Sequence, residues 1–345
     1  MTMKVYNIPS QVDQGAARTA YRTLEDIGYD GAFTTETMHD PFITATLACE
    51  YTTTLRLGTS VAIAFARNPM TLANLGHDLQ ALSRGRFLLG LGSQIKPHIE
   101  KRFSAPWSRP AARMREMVLA IRAIWDCWDG KAPLDFHGSF YTHTLMTPVF
   151  NPGPNPFGPP PIFTGGFGPL MTAVAGEVAD GFFIHGFASR RSIVENTLPA
   201  LRKGLDKAGR ERSDLEVIHV ALVVTGDTEE AFARSKAAMK NALAFYGSTP
   251  AYLPTLQVHG WEGMQPELNR LSKEGRWDEM GGLIDDAMLE ELSVVGERPQ
   301  IAGKLRERFG DLVDGLILTH NRYPDPHHWA DVVRDIKQEA AADGR

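Results

Sequence analysis

Arg56-Leu-Gly-Thr-Ser-Val-Ala-Ile-Ala64, then Asn68-Pro69 and a run carrying Leu72, Leu75, Leu79 and Leu82, then Arg86-Phe-Leu-Leu-Gly-Leu91, is the stretch that decides the fold. Its first part alternates small and β-branched residues, with Leu57, Thr59, Val61 and Ile63 at the period of a strand. Its second part repeats leucine at helical spacing behind an Asn-Pro opening. Its third part is again a short apolar strand. Strand, helix and strand joined by short links form a right-handed crossover between parallel strands.

The same unit extends in both directions. Upstream lie a strand at Lys4–Ile8, a helix from about Asp13 to Ile27 stopped by Gly28, a strand from Gly31, and a helix over Pro41–Thr52. Downstream, Arg109–Trp128 is an amphipathic helix. Thr147–Pro169 is crowded with Pro148, Pro152, Pro154, Pro156, Pro159, Pro160 and Pro161, which disfavour helix and central strand alike. It reads as an ordered loop rather than a disordered linker, because Pro161-Ile-Phe-Thr-Gly-Gly resumes the strand pattern at once. A helix over Pro169–Val178 and a strand at Asp180–His185 follow. Leu215–Thr225 is a long apolar strand, and Asp227 with Glu230 reads as the capping box of the next helix. Residues 242–297 are helical and polar, Gly315 opens a last strand, and Trp329–Ala342 closes the chain as a helix.

The count is eight strands. The expected fold is a single α/β domain over residues 1–345, a (β/α)8 barrel of the TIM type. Its insertions follow strand four, at about residues 93–160, and strand seven, at about 242–297. A doubly wound open sheet is the alternative.

Composition narrows the function. With 345 residues, 43% hydrophobic content and a net charge of -5, the chain lacks a basic footprint for nucleic acid or an anionic membrane. A small-molecule partner is expected. The two cysteines, Cys49 and Cys127, form no CxxC pair and suit a reducing cytoplasm. No apolar run approaches the ~18 residues of a membrane span.

A barrel places its chemistry where the strands end at their carboxyl side. The residues there are Glu36-Thr-Met-His39-Asp40, Phe65-Ala-Arg67-Asn68, Ser93-Gln94-Ile-Lys96-Pro-His98, Gly165-Gly166-Phe167-Gly168, His185, and His320-Asn321-Arg322. The scattered histidines have no metal-binding spacing, so no catalytic metal is expected. There is no nucleophile elbow, and neither cysteine follows a strand. Gly165-Gly-Phe-Gly168, between a strand and a helix, suits an anion approached by backbone N–H groups, or equally a tight turn needing positive φ. It is not a dinucleotide fingerprint, so the anion would belong to a mononucleotide or flavin-type cofactor.

Four segments together resemble the bacterial luciferase-like superfamily, in its branch of coenzyme F420-dependent oxidoreductases. They are Glu36-Thr-Met-His-Asp-Pro-Phe42, Leu57-Gly-Thr-Ser-Val-Ala-Ile-Ala-Phe-Ala-Arg-Asn-Pro69, Ser83-Arg-Gly-Arg-Phe-Leu-Leu-Gly-Leu-Gly-Ser93 and Ala175-Gly-Glu-Val-Ala-Asp-Gly181. The resemblance covers nearly the whole chain. It implies a barrel binding F420, or alternatively FMN, at its mouth, commonly as a homodimer. It further implies a non-prolyl cis peptide at Ser60–Val61 behind the cofactor ring, with Gly165, Gly166 and Phe167 at the cofactor and Ser93 beside its phosphate.

His39 matches a histidine that lies next to the hydride-accepting carbon in F420-dependent sugar-phosphate dehydrogenases. Its role is either proton transfer or a hydrogen bond to the cofactor. Where those enzymes carry a catalytic glutamate, this chain reads Ser93-Gln94-Ile95, so sugar-phosphate oxidation is not expected. Glu36 is the second catalytic candidate, or else the ion-pair partner of Arg67. Lys96, His98 and Arg102 could attract an anionic cofactor tail, or form a solvated loop face. Phe65, Phe103, Trp107, Phe167 and Phe187 either wall an apolar pocket or serve as packing. The expected activity is hydride transfer between F420 and a small organic substrate. FMNH2-dependent monooxygenation and non-catalytic flavin binding are the alternatives.

Overall fold

The structure is a computed structural model and describes residues 3–9, 15–318 and 326–339. Eight parallel strands form the barrel: β1 (Lys4–Asn7), β2 (Gly31–Thr34), β3 (Arg56–Thr59, resuming at Ala62–Ile63), β4 (Phe87–Gly92), β5 (Ile162–Gly165), β6 (Gly181–Ile184), β7 (Glu216–Ala221) and β8 (Gly315–Leu318). Each pairs with its sequence neighbour, and β1 pairs with β8 in the register Lys4↔Gly315 to Asn7↔Leu318, which closes the ring. The open-sheet alternative is excluded.

The helices that cover the barrel form where the sequence supplies caps and apolar faces. They are α1 (Ala17–Ile27), α2 (Pro41–Tyr51), α3 (Pro69–Leu82), α4 (Pro110–Trp128), α5 (Pro169–Val178), α6 (Leu198–Ala208), α7 (Glu229–Gly247), α8 (Arg298–Phe309) and α9 (Ala330–Glu339). The Asp40 carboxylate accepts from Phe42 N at the start of α2, and Asn68 Oδ1 accepts from Thr71 N at the start of α3. Each cap satisfies an N–H that the helix itself leaves unpaired, and a proline occupies the first turn of both. No helix among the described residues is long and apolar enough to cross a membrane.

Three expectations need correction. The strand drawn over Arg56–Ala64 is interrupted at Ser60–Val61. The strand drawn over Leu215–Thr225 is split at Leu222, and Val223–Val224 leaves the barrel to pair with Val294–Val295. The cap of α7 is Thr228, whose hydroxyl accepts from Ala231 N, while Asp227 lies beside Arg298 at 3.7 Å and Glu230 pairs with Arg234. Helices α6 and α8 had no counterpart in the sequence reading. The start of the helix predicted from Asp13 and the whole of the His320-Asn321-Arg322 loop lie outside the described residues.

The proline-rich stretch is laid on α3 rather than strung between bodies. Asn155 Nδ2 donates to His77 O at 2.8 Å, and the His77 ring lies 3.3 Å from Gly153 O. Residues 228–293 pack around a separate apolar cluster that includes Leu243, Leu256, Leu268, Leu271 and Leu289 and rests on Phe187 and Leu222 beside the carboxyl ends of β6 and β7.

Candidate active site

The barrel interior is filled by Tyr6, Phe33, Leu88, Phe163, Phe183, Ile218 and Ile317, with half-buried Ile8, Val61 and Val220 packed against them. Its amino end is sealed by charge. Glu216 accepts from Arg56 at 2.6 Å, from Tyr6 Oη at 3.0 Å and from Lys4 at 3.2 Å. Burial opposes ionisation of Glu216, but the Arg56 guanidinium outweighs it and holds the carboxyl below the usual range. The chemistry therefore belongs at the other end.

There β3 breaks at a cis peptide between Ser60 and Val61, the bond that the resemblance singled out. Ser60 N donates to Thr34 O at 2.8 Å, tying the break to β2. The Val61 side chain then lies across the mouth between two glycines. A Cβ on Gly92 would fall 2.4 Å from Val61 Cγ2, and one on Gly165 would fall 3.1 Å from Val61 Cγ1. Gly92 leaves no room for a side chain beside Val61, and at Gly165 one would fit only if Val61 gave way by a few tenths of an ångström. The positive φ that a tight turn demands is found at Gly168, with φ 84°, and not at Gly165 or Gly166.

Glu36 is engaged. One of its oxygens accepts from Arg67 Nη1 at 2.6 Å and from Ile63 N at 2.7 Å, and Arg67 Nη2 donates to Asp40 at 2.7 Å. Burial opposes the charge on Arg67, but Glu36 and Asp40 together hold its pKa above the ordinary value. This cluster pins the far side of the β3 break to the β2–α2 loop.

His39 is exposed on that loop and makes no hydrogen bond among the described residues. Ser93 Oγ donates locally, to Gln94 O at 3.0 Å. Lys96 faces Glu100 at 3.8 Å and Arg102 donates to Thr37 O, so these cations belong to a solvated loop face. Phe65 is buried against Trp107 and beneath the Arg113 guanidinium, as packing.

The structure thus brings Ser60, Val61 and Gly165 together. Gly166 and Phe167 line a cavity of about 560 Å3 that opens beside β5 and β6. Its apolar walls include Phe182, Ile184, Ala200 and Pro254, and its polar groups include Asn196, Thr197, Lys203 and His185. The volume falls within the range of small-molecule and cofactor pockets. The amino end of α5 borders it through Gly168 and Pro169, which favours an anionic group at that edge.

The sequence reading gave His185 no role. Its ring is enclosed by Phe167, Tyr246 and Tyr252, with centroids 5.5, 4.9 and 4.8 Å away. Burial lowers its pKa to about 4. Burial also raises both phenols, Tyr252 to about 12. Tyr246 and Tyr252 stand about sixty residues further along the chain, and only the fold brings them here. Among the described residues no group of three or more His, Cys, Asp or Glu converges to hold a metal.

Comparison with known proteins agrees with this geometry. An uncharacterized protein of Mycobacterium tuberculosis is 50% identical over 311 residues, covering 90% of this chain and 91% of its own. A putative coenzyme F420-dependent oxidoreductase of the same organism is 29% identical over 287 residues, covering 79% and 81%. Among solved structures, the coenzyme F420-dependent tetrahydromethanopterin reductase from Methanopyrus kandleri superposes with a TM-score of 0.77 at 19% identity, over 100% of this chain and 99% of its own. The profile of the luciferase-like monooxygenases matches residues 7–315. With its closed barrel, broken third strand and cavity at the mouth, this chain belongs to the luciferase-like monooxygenase family of oxidoreductase enzymes.

Proposed function

We propose that the protein is an F420-dependent oxidoreductase acting on a small organic substrate. The observation that carries this reading is the flat seat made by Val61 between Gly92 and Gly165, next to a cavity with an anion-favouring edge. The first would take a planar ring and the second its phosphate-bearing chain. A relative named for F420 supports the choice of cofactor. A bound deazaflavin supplies a hydride donor or acceptor at C5.

The chain's own residues hold and shield it. Ser60 and Val61 support the ring from behind, and Gly165, Gly166 and Phe167 take the phosphate side, with Ser93 next to them. Glu36 acts through Arg67, holding the resumed half of β3 in place. His39, at the wet rim, exchanges a proton between substrate and water, and its exposure keeps it in contact with solvent. The protein acts as a cytoplasmic homodimer in this reading, consistent with two unpaired cysteines.

The family description favours a second reading, in which reduced FMN and oxygen take the place of F420. Titrating the purified protein with F420 and with FMN, while following ring fluorescence, separates the two. Saturable F420 binding is expected. Tight FMN binding without an F420 response overturns the first reading. His39→Ala should lower turnover about 100-fold with little change in cofactor affinity; a loss under threefold removes it from proton transfer.

A further inference from the structure

One group at the mouth has its protonation state fixed by backbone geometry. Phe187 N donates to His185 Nδ1 at 3.0 Å, so that nitrogen carries a lone pair and the proton of the neutral ring is on Nε2. Strand alternation puts Phe183 in the barrel interior and Phe182 and Ile184 on its outer face, where they wall the cavity; His185 follows the carboxyl end of β6 and lines the same cavity. The Tyr246 and Tyr252 rings pack against it and stand 6.3 Å from each other. Neither phenol makes a hydrogen bond among the described residues. Three rings that carry donors and no cation are therefore packed together, with His185 lining the cavity and the two tyrosines against it.

We propose that His185, Tyr246 and Tyr252 form a neutral donor pole that selects a substrate by an uncharged oxygen acceptor, such as a ketone or enone carbonyl, and rejects carboxylates. This deepens the proposed function and rests on its placement of substrate at the mouth. A carbonyl oxygen takes hydrogen bonds from Nε2–H and a phenol without bringing charge into a desolvated site. A carboxylate beside these three rings would lose its hydration without meeting a cationic side chain on them, because the anion-favouring edge of the cavity belongs to the amino end of α5, which the proposed function gives to the cofactor phosphate. A neutral imidazole can also polarise a carbonyl, as N–H donors do in other active sites.

The surrounding titratable groups preserve this neutrality. His219 on β7 is itself buried, with its pKa lowered to about 3. Glu195 is paired with Arg191 at 2.8 Å, and His259 is hydrogen-bonded to Ser189 at 2.7 Å. Lys203 also lines the cavity, but it is exposed to solvent. Burial accordingly keeps His185 uncharged through the physiological range.

The test uses the full chain without cofactor. In protein labelled with 15N-histidine, the His185 signal, assigned by its loss in His185→Gln, should show the Nε2–H tautomer from about pH 5 to 8. An imidazolium titrating near the ordinary 6.5 overturns the proposal. Cyclohex-2-enone should bind saturably, and cyclohex-1-ene-1-carboxylate at least about tenfold more weakly, the worth of one hydrogen bond or more.

His185→Ala and Tyr252→Phe should each weaken the enone about tenfold, and His185→Gln, which restores a donor near the Nε2 position, should recover most of that loss. Equal or tighter carboxylate binding, or unchanged enone binding by a folded His185→Ala protein, overturns it. If His185→Ala does not fold, the Tyr252→Phe comparison decides in the same way. Failure of both F420 and FMN to bind would count against the proposed function while leaving these readouts intact.

Discussion

The two ends of the barrel treat their polar groups in opposite ways. At the amino end Lys4, Tyr6, Arg56 and Glu216 come from three strands and satisfy one another, and Arg56 also lies over the Phe163 ring at 5.1 Å. At the carboxyl end His185 Nε2 and the phenols of Tyr246 and Tyr252 have no hydrogen-bond partner among the described residues. None of these three donors is sealed from solvent, so water can satisfy each until a ligand takes its place. One end is built to stay closed and the other to be completed by a ligand.

The largest effect that would break this contrast lies at the closed end. Glu216→Ala leaves Arg56 partly buried and uncompensated, and should cost about 3 kcal/mol of stability in denaturant melts while the cofactor affinity of the folded protein is kept. The folded-state pKa of Glu216 lies below its ordinary value, so its contribution is complete above about pH 4.5 and fades as pH falls through the lower folded value. The stability gap between the native protein and Glu216→Gln should accordingly shrink on acidification. A gap that grew would assign the stabilisation to another group.

Next in size is the mouth. Gly92→Ala pushes a Cβ into Val61, which should cost ~1–3 kcal/mol and weaken cofactor binding about tenfold. Adding Val61→Ala should return much of the stability, and an additive double mutant would show that the two side chains do not compete for that space.

The smallest effect is expected at Glu36. Glu36→Gln keeps an acceptor for Ile63 N but gives up the charge facing Arg67, a loss of about 1–2 kcal/mol with turnover within threefold. A tenfold drop in kcat at unchanged stability would make Glu36 a catalytic residue rather than a positioning one.

The barrel was legible because each strand and most helices carry their own periodicity, as in residues 56–91. What periodicity could not show was the interruption at Ser60–Val61, since those residues continue the alternation of their neighbours; the resemblance supplied it. The Glu36–Arg67 ion pair, one of the two roles open to Glu36, was within reach because both stand at strand ends, where barrel geometry brings loops together. The donor pole was beyond reach for the opposite reason. His185 looks like any polar residue after a strand, and what distinguishes it is two tyrosines from a segment whose polar helices announce no destination. Gly165 was read as an anion contact, and its lack of a side chain also eases the fit of Val61, which only three-dimensional packing reveals.

The split of the seventh strand has a consequence for how this protein can vary. Val294 N donates to Leu222 O at 2.8 Å and Gly296 N to Val224 O at 3.1 Å, so the chain departs and returns through a single stem two residues long. Closing a longer or shorter span across that stem changes the entropy only logarithmically with length. The seventy or so residues between can be rewritten like an interchangeable lens in a fixed mount, with the barrel left in register.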